Sequence, residues 1–463
     1  MDLSIWAREW RDPTDSDRAN ISQRHAGMMT QAGGRHVARD KTYSRSHSRH
    51  SVLDIVVMFL LAAAFVLLNN GPVYVVAAAG AVLLFPLFGR SLVPLFVVGL
   101  SMTDEMLTAP GLPLPRFLLF LALYAVVMAI YGISRSGSLK IDVPMALIAM
   151  GIGVRLLISP PPSNAAVAAA YGLLVVPLGL AILYPALTVE TNDRSYRLEA
   201  FAAGAIISVG AGLINAFQAV GNDYEAYSAA RIFESSIGSS NKAAAVAAAV
   251  GFLIIGMAGK HRRARWLMYL MATPFLAAPI VFASRGPLVA SIVVAVVATL
   301  FAGRGLVGRM GLVIAATSLG YLIVVGRIMP DLLVLNRFRD SASGGDFLSG
   351  RIDIWKYVWS LIRERPIFGW GPGGITADLL SSGHTAYPHQ FALGLVVQVG
   401  IVGVVLLGWA LYKYVPREWD QLTPSLLFLL VVSMVEPVLS TPGAAPLVVV
   451  LFALSASSER ETL

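Results

Sequence analysis

The chain has 463 residues, 56% of them hydrophobic and only 13% charged, with a mean hydropathy of +0.70. Soluble domains carry about 25% charged residues and their cores stop growing near about 250–300 residues, so this composition excludes a soluble enzyme, a disordered chain and a nucleic-acid-binding domain. What remains is an all-α, polytopic integral membrane protein. Its net charge of +8 then reports sidedness before it reports any ligand. With no cysteine, disulfides, thiolate metal sites and Cys nucleophiles are excluded as well.

Residues 1–50 are polar, and their second half carries Arg35, His36, Arg39, Lys41, Arg45, Arg49 and His50. The stretch has neither the short basic region nor the cleavage site of a secretory signal. It is expected to be a disordered cytoplasmic tail, basic enough beside a first span to touch anionic lipid. Residues 51–327 are expected to be transmembrane helices. Apolar runs fall near 52–68, 72–88, 91–107, 116–133, 141–158, 165–187, 198–220, 241–258, 266–283, 287–302 and 310–327. After a long polar segment at 328–390, three more follow near 391–411, 423–440 and 443–457. Each run approaches the length needed to cross about 30 Å of hydrocarbon, giving about fourteen helices, with 12–14 plausible. Barrel strands would alternate in hydrophobicity, and these runs do not.

With the N-terminus inside, the alternate loops hold Arg90; Arg135 and Lys140; Arg194 and Arg197; Lys260, Arg262, Arg263 and Arg265; Arg304 and Arg309; Lys413 and Arg417. Short loops on the opposite side, at 69–72 and 159–164, carry no Lys or Arg. The positive-inside rule therefore predicts a multi-pass plasma-membrane protein with both termini cytoplasmic.

Three places break that rule. Arg231 falls in an outside loop, Arg285 at the outer end of a span, and the segment 328–390 holds Arg337, Arg339, Arg351, Lys356, Arg363 and Arg365. Long loops translocate regardless of charge, but a cation near hydrocarbon is costly, and arginines gathered on one face ask for an anionic partner. Within the segment, residues 351–364 read as an amphipathic helix with Trp355, Val358, Trp359 and Ile362 on one face. Pro366 should stop it. The turn PIFGWGPGG follows, its glycines permitting close backbone approach, and then His389 stands at the mouth of the next span. The helix has the plain reading of a lid lying on the membrane, and the same lid can cap a site.

Few residues offer catalysis. No His/Glu cluster has zinc spacing, and no Gly-rich loop precedes Lys-Ser. Asp104 and Glu105 read as a solvated helix end. Glu436, late in a span before Pro437, is a functional candidate by default, with the plainer alternative of meeting the interface or a basic partner. Arginines bind phosphate oxygens bidentately, and His389 can accept a proton near neutral pH. Such a set suits hydroxyl attack on a sugar carbon whose leaving group is a lipid diphosphate; an anion site in a transporter suits it almost as well. The plain alternatives are an interface anchor for Arg285, an ion pair with Asp346 or Asp353 for Arg351, a helix cap for His389, and packing for Asn241 and Lys242.

The order IGSSNKAA, FASRGPLVAS, SGRIDIWKYVW, PIFGWGPGG and YPHQ, over about residues 231–403, resembles the O-antigen ligase and polymerase superfamily of membrane glycosyltransferases. The resemblance implies a cofactor-free, metal-independent transferase of the bacterial inner membrane. Its donor would be a glycan on polyprenyl diphosphate, and its acceptor a glycan, lipid or protein at the outer face. By position, Arg285 and Arg351 match arginines that engage the donor diphosphate, and Arg231 matches a further basic residue. His389 matches the histidine read as general base, although Gln390 follows it where Asn is frequent. A flippase for an anionic lipid-linked substrate is the rival expectation.

Overall fold

The structure, a computed structural model, describes residues 99, 106–109, 112–115, 141–161, 164–188, 194–220, 240–259, 264–282, 284–301, 351–383, 388–416, 419–440 and 444–458. The tail at 1–50 and the expected spans 52–68, 72–88, 116–133 and 310–327 lie outside them. The described helices are α1 (Val143–Ile158), α2 (Asn164–Thr188), α3 (Arg194–Val220), α4 (Ser240–Ala258), α5 (Arg265–Val281), α6 (Arg285–Phe301), α7 (Arg351–Glu364), α8 (Thr376–Ser381), α9 (Phe391–Tyr412), α10 (Thr423–Ser433) and α11 (Ala445–Ser458). Most coincide with the expected apolar runs to within a few residues.

Two expectations change. Strands β1 (Met106–Ala109) and β2 (Leu112–Pro115) pair antiparallel, from Ala109↔Leu112 to Met106↔Pro115. A small hairpin therefore interrupts the all-α reading, and the run at 91–107 ends in strand. Prolines at 113 and 115 argue against a central strand, but a two-stranded ribbon has only edges. The run at 423–440 is also not one helix: α10 ends at Ser433, and a 3₁₀ turn follows at Val438–Ser440. Pro437 disfavours helix at Glu436, which opens the break.

α4 is the axis of the bundle. Its sequence SNKAAAVAAAVGFLIIGMA is dominated by small residues, which let neighbouring backbones approach. A Cβ on Gly251 would lie 2.9 Å from Leu276 Cγ, and one on Gly256 only 1.9 Å from the Gln421 carbonyl oxygen. α3, α5, α6 and α10 pack around it, and α11 packs on α2 and α3. Peripheral helices turn apolar stripes outward: Leu147, Met150, Val154 and Leu157 on α1; Leu267, Leu270 and Met271 on α5; Val289, Ile292, Val293 and Val296 on α6. Water would not tolerate so much contiguous apolar surface on a monomer; hydrocarbon does.

Among the described residues, two helices are long and apolar enough to cross a bilayer, at Asn241–Ala258 and Phe391–Tyr412, so about fourteen spans are not accounted for. The second is broken: Gly400 stands at φ 67° and ψ −178°. Its arms are about 14 and 18 Å long by helical rise, each short of a span. The turn after α7 repairs the break. Trp370 and Gly371 N–H donate to the carbonyls of Val397 and Gln398, both at 2.9 Å, while Ile401 N–H donates to Pro366 O at 2.9 Å and Val402 N–H to Ile367 O at 3.2 Å. Gln398 Oε1 accepts from Gly373 N–H at 2.8 Å. Backbone groups freed by the break thus find partners inside the protein, as burial demands.

α7 runs beside the first arm of α9. Its buried face is Ile354, Val358, Leu361 and Ile362, so the expected stripe shifts. Trp359 is exposed and Trp355 sits at the edge, donating Nε1–H to Pro388 O at 2.9 Å. A small cluster with Ile375, Leu379 and Val397, separate from the main core, forms beneath it.

Candidate active site

The helices bring two polar clusters together at opposite ends of α4 and α9. At one end, Asp142 caps α1, accepting from Met145 N–H at 3.2 Å. Its other oxygen pairs with Lys413, whose ammonium also lies 5.4 Å from the Tyr184 ring and 5.0 Å from the Tyr414 ring. The loop-charge rule assigns the chain near all these residues to one side, so relative sidedness agrees among the described helices. Arg197, expected in a solvated loop of that side, is instead 2% exposed within the first turn of α3.

At the other end stands Glu436, 1% exposed, in the break after α10. Glu436 N–H donates to Val432 O at 2.8 Å, closing the helix. Arg351, the first residue of α7, pairs through Nη2 with Glu436 Oε1 and donates Nη1–H to Val435 O at 3.0 Å. His389 Nδ1 lies 3.5 Å from Glu436 Oε2, within ion-pair reach but long for a hydrogen bond. Asn241, in the first turn of α4, donates Nδ2–H to Glu436 Oε1 at 2.8 Å, and Ser284 Oγ–H donates to Asn241 Oδ1. Lys242 is buried and close enough to Glu436 for the charges to attract.

Arg285 follows Ser284 at the start of α6 and is half-buried. Its neighbour Gly286 allows the close approach: a Cβ there would lie 3.1 Å from Val435 Cγ2 and 3.8 Å from Glu436 Cγ. Arg351 and His389 therefore share one carboxylate, and Arg285 lies between Ser284, which bonds Asn241, and Gly286, whose backbone runs beside Val435. Arg231, Asp104 and Glu105 lie outside the described residues. Of the two acidic neighbours expected for Arg351, Asp353 pairs with Lys356 at 3.1 Å instead, and Asp346 lies outside the described residues.

His389 carries a backbone φ of 53°, the only positive φ of a non-glycine residue among those described. That conformation is uncommon outside Gly, Asn, Asp and His and persists where the surroundings over-determine it. Both flanks are held. Pro388 is buried and bonded to Trp355, and Gln390 caps α9, its Oε1 accepting from Leu393 N–H at 2.5 Å. Capping thus belongs to Gln390, leaving the imidazole to the site. The PIFGWGPGG glycines approach α9 and Arg155 rather than the space beside His389: a Cβ on Gly369 would stand 2.6 Å from Gln398 O, and one on Gly371 3.1 Å from Arg155 Nε.

In the sequence Glu436 is a candidate without an assigned partner, and Asn241 reads as packing. The signal was a carboxylate in an apolar run just before proline; its partners were invisible because they are 47, 85 and 195 residues away. Among the described residues, no three His, Cys, Asp or Glu side chains cluster as metal ligands.

Residues 236–408 match the family model for O-antigen ligase. The match takes in Asn241, Ser284, Arg285, Arg351, His389 and the Gly400 break, and ends before Glu436. No curated protein matches the chain.

Proposed function

We propose, from the match of residues 236–408 to the O-antigen ligase family model, that the protein moves a glycan from a polyprenyl diphosphate carrier to an acceptor at the outer face of the bacterial plasma membrane. The observation that carries this reading is the single buried carboxylate shared by Arg351 and His389. In that arrangement Glu436 Oε2 faces Nδ1, favours the tautomer protonated there, and leaves Nε2 with a lone pair. The logic is that of a base oriented by a third group.

The reaction then balances simply. The acceptor hydroxyl oxygen attacks the anomeric carbon and its proton passes to His389. The bond from that carbon to the diphosphate oxygen breaks, its electron pair leaves with the diphosphate, and in-line displacement inverts the anomeric centre. Arginines would stabilise the charge growing on the departing group. Arg351 retains N–H donors beyond the two engaged with Val435 and Glu436, and Arg285 stands at the same end of the bundle. Arg231 joins the set through the family resemblance alone.

The test is transfer from carrier-linked glycan by purified protein. His389→Ala should lower the rate by about 10²–10⁴-fold, the usual contribution of general-base catalysis, with carrier binding retained. Transfer at the wild-type rate would remove the base. Carrier lipid moved across vesicles without any new glycosidic bond would make the protein a flippase.

A further inference from the structure

The geometry points to Asn241 and Ser284 as a positioning pair that holds the Glu436 carboxylate with Oε2 turned to His389. The inference rests on the transferase reading above and deepens it. A carboxylate only accepts hydrogen bonds, so the Asn241 group facing Glu436 must be the Nδ2 amide, as found at 2.8 Å. The Asn241 carbonyl oxygen then needs a donor of its own, and the fully buried Ser284 hydroxyl supplies it. Each orientation fixes the next. Oε1 is occupied by Asn241 and Arg351, leaving Oε2 for the imidazole at 3.5 Å.

The three residues come from the start of α4, the residue before α6 and the break after α10, elements that pack on one another. The pair therefore ties the carboxylate to the buried central helix α4, whereas Arg351 and His389 arrive on the α7–α9 layer. A carboxylate held only by that layer would move with it. Leu at position 241 would remove the donor, and Asp would set two acceptors against each other. Neither Asn241 nor Ser284 touches the reacting atoms in this scheme; both act through Glu436.

The experiment is a double-mutant cycle on full-length purified protein, with polyprenyl-diphosphate-linked glycan extracted from the host as donor. Asn241→Ala should lower kcat about tenfold, the scale of one lost hydrogen bond to a charged group, and change the donor KM by less than about twofold. Ser284→Ala should lower kcat in the same sense by a smaller factor. In a Glu436→Gln background either substitution should cost less than about twofold further, because residues acting through one group are not additive. Losses that multiply fully in the double variants, or a change confined to KM, overturn the inference. Should Asn241→Ala not fold, the Ser284→Ala cycle decides alone. A wild-type protein that transfers nothing overturns the proposed function instead, so the two failures are distinguishable.

Discussion

At the scale of single residues, Glu436 sets the terms. Removing one partner of a buried ion pair leaves an uncompensated charge, which costs about 3–5 kcal/mol. Arg351→Ala should therefore lower thermal stability in detergent as well as activity, since it strips Glu436 of its guanidinium and Val435 O of a donor. Arg351→Lys keeps the charge but loses the planar fork, and should retain most stability while losing transfer. A variant series in which stability and transfer fall strictly together would reduce Arg351 to a structural ion pair. His389 differs again, because its strained backbone rather than its partner marks it out.

At the scale of elements, the joint between the PIFGWGPGG turn and α9 governs how the His389 arm is held. A Cβ on Gly400 would fall 2.2 Å from Ile367 O, at a φ of 67°. Gly400→Ala should combine the cost of about 1–3 kcal/mol for a positive-φ extended backbone that is essentially glycine's alone with disruption of four backbone hydrogen bonds. Gly383 is the control: its φ is 78°, yet no atom of the described residues lies within 4 Å of its Cβ position. Gly383→Ala should show the backbone cost alone, in thermal melts of both variants. Equal destabilisation would mean that the splice contributes nothing beyond glycine's conformational freedom. Trp355→Phe tests the other joint: without its indole N–H, the Pro388 carbonyl loses its donor, and kcat should fall several-fold, on the scale of one hydrogen bond, with the fold intact.

At the scale of the whole molecule, the two polar clusters separated by about 27 Å of α4 predict the two faces of a membrane protein. The lack of cysteine makes this directly testable. Ser382 and Val415 are both exposed, near the His389 end and the Lys413 end respectively. In intact cells, an impermeant maleimide should label Ser382→Cys, and Val415→Cys only after the membrane is opened. The reverse pattern would turn the site toward the cytoplasm and remove the outer-face reaction.

Helical class, the positions of most helices and the relative sides of their ends were legible in the sequence, because hydrophobic run length and loop charge are local quantities tied to the bilayer as solvent. Arg285 and Arg351 stand out in one dimension as cations on the wrong side of a span, and His389 as an imidazole at a span mouth; that Arg351 and His389 meet at one carboxylate does not. The β hairpin, the break in α9 and the shifted face of α7 were not, since each depends on which neighbour satisfies a backbone group or an indole N–H. Above all, the carboxylate hub belongs to tertiary structure. Whether a buried Glu is an interface residue or the centre of a site is decided by the charges packed around it, and those arrive from α4, α7 and the mouth of α9.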